Sequence, residues 1–181
     1  MQLDLLEAAG KHPSPGIKQK VAKYEASKPK EDVLISYQEC LFGGNPDAGK
    51  KIFFERADVQ CLRCHKVNGQ GGDVGPDLSH VSAQKDRRYL LESIVFPNRQ
   101  IAQGYESVMV TLKNDESYAG VFKSENDNEL VINTPQSGLV TVKKRDIETR
   151  QKSLSPMPEG MAQILSKRDL RDLIAYLSTL K

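Results

Sequence analysis

The spacing of apolar positions changes period twice along the chain. Up to about residue 100 it is helical. Leu3, Leu5, Leu6 and Ala9 predict a short helix ended by Gly10, and Ser14-Pro15 offers a cap and first-turn proline for a second, with Ile17, Val21 and Tyr24 on one face. A third helix is expected over 31–41. Gly43-Gly44-Asn45-Pro46 then marks a boundary and opens a helix over 46–55 that carries Gly49, Phe53 and Phe54. Residues 86–95 place Tyr89, Leu90, Ile94 and Val95 at helical spacing, and Pro97 stops the run. From Tyr105 the period falls to two. Val108, Val110 and Leu112 alternate, Asn114-Asp115 turns the chain, and 117–124, 129–133, 138–142 and 146–150 read as further short strands. Strands so closely spaced predict a small antiparallel barrel or curled sheet. Helical spacing returns after the rigid loop Ser155-Pro156-Met157-Pro158. There Ser166 caps a last helix whose Leu170, Leu173, Ile174 and Leu177 form a buried stripe.

The expected fold class is mainly α, with an inserted small antiparallel β module and short helices in front. Four segments follow: a lead-in at 1–42, a helical unit begun at 43–102, a β-rich module at 103–152, and the unit resumed at 153–181. The lead-in resembles the end of a helical repeat, because each short helix alone buries little; a loosely attached arm is the alternative.

Charge supports the division. The 181 residues carry 26 Lys+Arg against 24 Asp+Glu, a net +2. By position the net values are 0 over 1–44, +2 over 45–101, −2 over 102–150 and +2 over 151–181. A near-neutral balance gives no reason to expect nucleic acid as a partner, and no apolar stretch approaches the length of a spanning helix, so the chain reads as soluble. Three cysteines are too few for a disulfide scaffold, but two of them stand in one pentapeptide.

In Cys61-Leu62-Arg63-Cys64-His65 the thiols are one helical turn apart and an imidazole follows directly. That geometry lets both sulfurs reach the two vinyl groups of one haem while His65 sits below the iron, which is what covalent c-type attachment needs. One motif implies one haem c per chain. A sixth iron ligand is sought among four methionines and two further histidines. Met157, held extended between two prolines, is the favoured choice and His80 its rival. Met109 alternates within a strand and reads as packing, Met161 shares an apolar helical face with Ile164 and Leu165, and His12 reads as solvated. The carbonyl of Pro76 is the expected acceptor for the free ring nitrogen of His65, unless Pro76 is turn punctuation. Leu78 would face the haem, or serve simply as a core residue.

These residues resemble a known family. The order helix, CxxCH, GPxL loop, middle helix, methionine loop and C-terminal helix is similar to a class I cytochrome c, with Gly49 and Phe53 matching its N-terminal helix and Leu173 and Tyr176 the helix that crosses it. More specifically, GGNPDAGKKIFFE, CLRCHKVNGQGGDVGPDLSHV, YLLESIVFPNRQIAQGYE, SPMPEG and LRDLIAYLSTL resemble the haem-binding domain at the C-terminus of large planctomycete- and verrucomicrobial-type membrane-associated dehydrogenases. The resemblance covers about residues 43–181, and MQLDLLEAAG echoes the end of the helical-repeat region that precedes such domains. It implies Cys61 and Cys64 as thioether anchors, His65 as proximal and Met157 as distal ligand, and a fragment of a longer protein with a propeller or catalytic domain upstream.

The expected function is one-electron transfer by a monohaem domain, not an enzyme by itself, whose partner is a redox protein or an upstream domain of the same polypeptide. Thioether formation in bacteria occurs outside the cytoplasmic membrane, so periplasmic or other exported residence is expected, although no signal-peptide pattern opens the sequence. The alternative is a zinc-binding module using Cys61, Cys64, Cys40 and either His65 or His80, for which the second half of a zinc-knuckle pattern is missing. A thioredoxin-like site is disfavoured because CLRC does not follow a strand in a βαβ pattern. The β-rich module is expected either to shield the haem edge or to dock a redox partner.

Overall fold

A computed structural model of the chain describes residues 2–181. Three helical pieces come first: α1 (Gln2–Lys11), α2 (Pro15–Ala26) and a 3-10 helix (Ile35–Leu41). Gly10 lies inside α1 and does not end it, and the third helix expected over 31–41 is instead the tighter 3-10 form, shorter at its start. Glu39 and Cys40 on it are buried.

The helical unit follows with α3 (Pro46–Glu55), the short α4 (Cys61–Cys64), a minimal hairpin of β1 (Lys66–Val67) and β2 (Gln70–Gly71), and α5 (Arg87–Val95). It resumes at the far end with α6 (Met161–Ile164) and α7 (Lys167–Leu177). Both long helices are well begun: Asn45 accepts from the N–H groups of Asp47 and Ala48, and Ser166 with Asp169 forms a full capping box. α3 and α7 cross closely because Gly49 carries no side chain; a Cβ there would collide with the carbonyl of Asp172. Phe53, Phe54 and Tyr176 fill the crossing, with ring centroids 5.2 to 6.3 Å apart. The main core gathers Leu34, Leu91, Leu170 and Ile174 around this pair. Met161 on α6 and Leu165 just after it are buried but Ile164 is 46% exposed, so the three do not share one helical face as expected; the helix lasts a single turn and the chain is extended at Leu165 before α7.

Between α5 and α6 lies a five-stranded antiparallel sheet: β3 (Ser107–Leu112), β4 (Ser117–Glu125), β5 (Glu129–Thr134), β6 (Gly138–Lys143) and β7 (Ile147–Ser153). The strand order is β6-β5-β4-β3-β7, so the last strand returns to pair with the first, with Ser107 opposite Ser153. The expected helices with an inserted antiparallel β module are present, but the β part is larger than the mainly α expectation allowed. The sheet is large enough to hold its own core of Val110, Leu130, Ile132 and Val142, and the chain is mixed. The reason is the sustained alternation, which puts Val108, Val110 and Leu112 on one face and Met109 on the other.

The lead-in is fastened by charge. The Glu39 side chain is fully covered, lies 2.7 Å from Lys28 Nζ and 3.7 Å from Lys167 Nζ, and accepts from the Tyr24 hydroxyl at 2.9 Å. Arg171, itself buried, pairs with the partly exposed Asp4 at 2.8 Å, joining α1 to α7. Burial pushes the Glu39 carboxyl up, but the Lys28 and Tyr24 hydrogen bonds outweigh it and the net shift is downward. A carboxyl lowered on folding adds stability above its unfolded pKa and loses it as pH falls through its folded one. Glu39→Gln removes one of the two carboxylates that hold Lys28, Glu25 remaining at 2.7 Å, and is therefore expected to cost about 2 kcal/mol at neutral pH. Its urea midpoint should also fall less steeply than that of the parent below about pH 5. Parallel acid limbs in the two proteins would assign the lead-in's stability to other contacts.

Candidate functional site

The attachment segment is shaped by glycines. α4 is a single turn, and its Cys61 carbonyl accepts the His65 N–H at 2.9 Å, which sets both thiols and the imidazole on one side. The following loop folds back under it. Gly72 N–H donates to Leu62 O at 2.9 Å and Gly75 N–H to Cys64 O at 2.8 Å. Gly75 lies flush on the His65 ring, where an added Cβ would come within 2.6 Å of Cε1. Pro76 O stands 2.9 Å from His65 Nδ1. A carbonyl only accepts, so Nδ1 carries the proton and Nε2 presents its lone pair. Burial lowers the His65 pKa, against the opposing pull of the Pro76 hydrogen bond, so the ring is held neutral and able to ligate.

A cavity of about 990 Å³ opens above this segment, at the upper end of the usual range of about 300–1,000 Å³ for cofactor sites. Cys61, Cys64, His65, Pro76, Leu78 and Met157 all line it, although Met157 follows His65 by a long stretch of chain. Phe53, Val74, Leu90, Ile94, Leu173 and Leu177 give it apolar walls. Met157 is half-buried, packs against the main core, and donates its N–H to Ser155 Oγ at 3.2 Å. The residues present thus fit a covalently held haem: two thiols, one neutral imidazole with a free Nε2, a thioether sulfur, and an apolar enclosure. Leu78 also touches the main core, so its two expected roles coincide.

The rival ligands fall elsewhere or stay secondary. His80 is exposed at the cavity margin, and its Nδ1 lies 2.7 Å from the Lys181 carbonyl. His12 is exposed in the lead-in. Met161, buried, also lines the cavity. The zinc alternative is not supported. Cys40 is buried and its thiol donates to Lys167 O at 3.2 Å, away from the cavity that Cys61, Cys64 and His65 line. Among the described residues no group of three or more His, Cys, Asp or Glu side chains is placed to hold a metal ion.

Several contributors were not anticipated. Tyr105, Val121, Pro135 and Gln136 come from the segment that carries the sheet, yet they line the same cavity. Arg63, inside the pentapeptide, donates from Nη2 to Pro135 O at 3.2 Å, and Asn133 Nδ2 donates to the Asp73 carbonyl at 3.2 Å. The one legible sign was Asn133 itself, a polar residue directly after the apolar run Leu130-Val131-Ile132.

No helix among the described residues is long and apolar enough to cross a membrane. A comparison with curated proteins found no match. The family model for Cytochrome c matches residues 46–133, from the start of α3 through the attachment pentapeptide and into β5. A domain of that family implies covalently bound haem c and electron transfer through it, and such domains typically work in extracellular or periplasmic space. The match, together with a CxxCH segment facing an apolar cavity, supports a cytochrome c domain in this chain.

Proposed function

We propose that this chain is a monohaem c-type cytochrome domain that carries single electrons, of the kind found at the C-terminus of large planctomycete- and verrucomicrobial-type dehydrogenases. It relays electrons from an upstream dehydrogenase domain or a separate redox partner, in the periplasm or another exported setting. The supporting observation is the convergence of Cys61, Cys64, His65 and Met157 on one apolar cavity. In this reading Cys61 and Cys64 are the thioether anchors, and Pro76 and Gly75 fix the plane and tautomer of His65. Met157 offers a soft sulfur donor from a bent loop in which two prolines restrict the backbone and Met157 N–H turns back to Ser155 Oγ. Haem c, when bound, supplies a one-electron couple whose potential is raised by His and Met ligation and by burial. The chain's own work is to hold, orient and exclude water; no side chain is assigned a proton transfer.

The test is export of the chain in a host with c-type maturation machinery. A covalent haem with a c-type reduced-minus-oxidised spectrum and one iron per chain is expected, and Cys61→Ala with Cys64→Ala should lose it. Matured wild-type protein without covalent haem would sink the proposal.

A further inference from the structure

The five-stranded sheet meets the helical unit through one cross-strand row. Ser107, Val121 and Asn133 are directly opposite one another on β3, β4 and β5, so their side chains share a face. They are 4%, 0% and 1% exposed, as buried as any core residue. A sheet hung on the outside by flexible joints would not bury a polar row in this way. Val121, at the centre of the row, lines the cavity.

Three hydrogen bonds hold the sheet against the attachment segment, two of them from Asn133 in this row. Asn133 Nδ2 lies 3.2 Å from Asp73 O and 3.3 Å from Asp73 Oδ1, across the boundary between sheet and loop. Arg63 Nη2 reaches Pro135 O at 3.2 Å. The turn that carries Pro135 is itself stiffened, since Thr134 Oγ1 accepts from Ser137 N–H at 3.0 Å and lies 3.2 Å from Gly138 O. On the loop side, Asp73 stands between Gly72 and Gly75, whose N–H groups are bonded to the attachment turn. Gly75 touches the His65 ring. Any displacement of Asn133 is therefore transmitted to Asp73, then to Gly75 and the proximal imidazole.

We infer that the sheet is a built wall of the haem cavity, clasped to the attachment loop by Asn133, and that Asn133 is a positioning residue through which the sheet sets the reduction potential. The inference rests on the haem reading above. Its physical basis is solvation. Oxidised haem iron carries one more positive charge than reduced iron, so a wall that excludes water disfavours the oxidised state and raises the potential. Opening the wall admits water and lowers it.

Two neutral substitutions test this, so that no change in charge can account for the result. Asn133→Leu keeps the approximate volume of the side chain and removes both donations to Asp73. Pro135→Gly removes a ring that faces the cavity and loosens the turn. Each is matured with haem and titrated against redox mediators, with amide hydrogen exchange read along β4 and β5. In Asn133→Leu the ratio of reduced to oxidised protein at fixed applied potential should fall about tenfold, which is about 59 mV for a one-electron couple. Pro135→Gly should move it in the same direction by a smaller factor, and exchange at Val121 and Asn133 should quicken in both. An unchanged ratio in matured Asn133→Leu overturns the wall while leaving the haem reading intact. Should that variant fail to mature, an unchanged ratio in Pro135→Gly overturns it equally. Absence of a c-type spectrum from the wild type overturns the haem reading and the wall together.

Discussion

Gly49→Ala is expected to destabilise the chain by about 3 kcal/mol or more, although alanine is the better helix former. On an exposed helix the same change would add about 1 kcal/mol of stability. The sign reverses here because the space for a methyl group is already filled by backbone. An added Cβ would collide with the carbonyl of Asp172 and approach Tyr176 Cβ to 2.8 Å. A carbonyl in mid-helix cannot rotate aside, so α3 and α7 must separate. Separation strains the 2.9 Å bond from Asn45 N–H to Asp172 Oδ1 and loosens the tilted contact of Phe53 with Tyr176. Overpacking of this kind typically costs about 1–3 kcal/mol, and more where the opposing atoms belong to the main chain. Phe53, Leu173 and Leu177 are also cavity walls, so a weaker crossing should reduce the yield of matured protein as well. Urea unfolding of the two proteins measures the difference. A midpoint for Gly49→Ala equal to or above that of the parent would mean the crossing can relax at little cost.

The second large effect is expected at Met157. Met157→Ala should retain covalent haem, because Cys61, Cys64 and His65 are untouched, but should lose the low-spin ferric spectrum. The ratio of reduced to oxidised protein at fixed potential should drop by about a hundredfold, since thioether ligation favours the reduced iron. Met161→Leu is the informative control. Met161 lines the same cavity and is the more deeply buried of the two, so a general loss of packing would appear in both variants. Loss of a ligand would appear in Met157→Ala alone. If the spectrum changes in Met161→Leu and not in Met157→Ala, the assignment of the distal ligand passes to Met161.

Local chemistry made much of this site legible in the sequence. CxxCH specifies its own geometry within one turn of helix, and a methionine between prolines cannot be absorbed by a helix. The strands were legible for the same reason, as alternation is a short-range signal. Long-range features were not. Gly49 suggested a close crossing only through resemblance, because a glycine in a helix says nothing of the carbonyl it approaches. Nothing in the sequence around Glu39 marks its burial beside two lysines, because both partners lie far from it along the chain. The wall formed by Val121, Asn133 and Pro135 was hidden because the faces of a strand can be told apart by pattern, but what covers each face cannot.

The pairing of β3 with β7 bears on how the site assembles during folding. Met157 lies far along the chain from His65, and bringing distant segments together costs loop-closure entropy that grows with the logarithm of their separation. Ser107 and Ser153, however, end up on neighbouring strands, about 5 Å apart. Once the sheet has formed, everything between them contracts to a short link, and the effective loop from the attachment segment to the methionine shrinks by about one doubling, worth about 0.6 kcal/mol. The sheet thereby works as a splice in the chain: its hairpins close on local contacts, and the two halves of the helical unit then meet as though they were nearly contiguous in sequence.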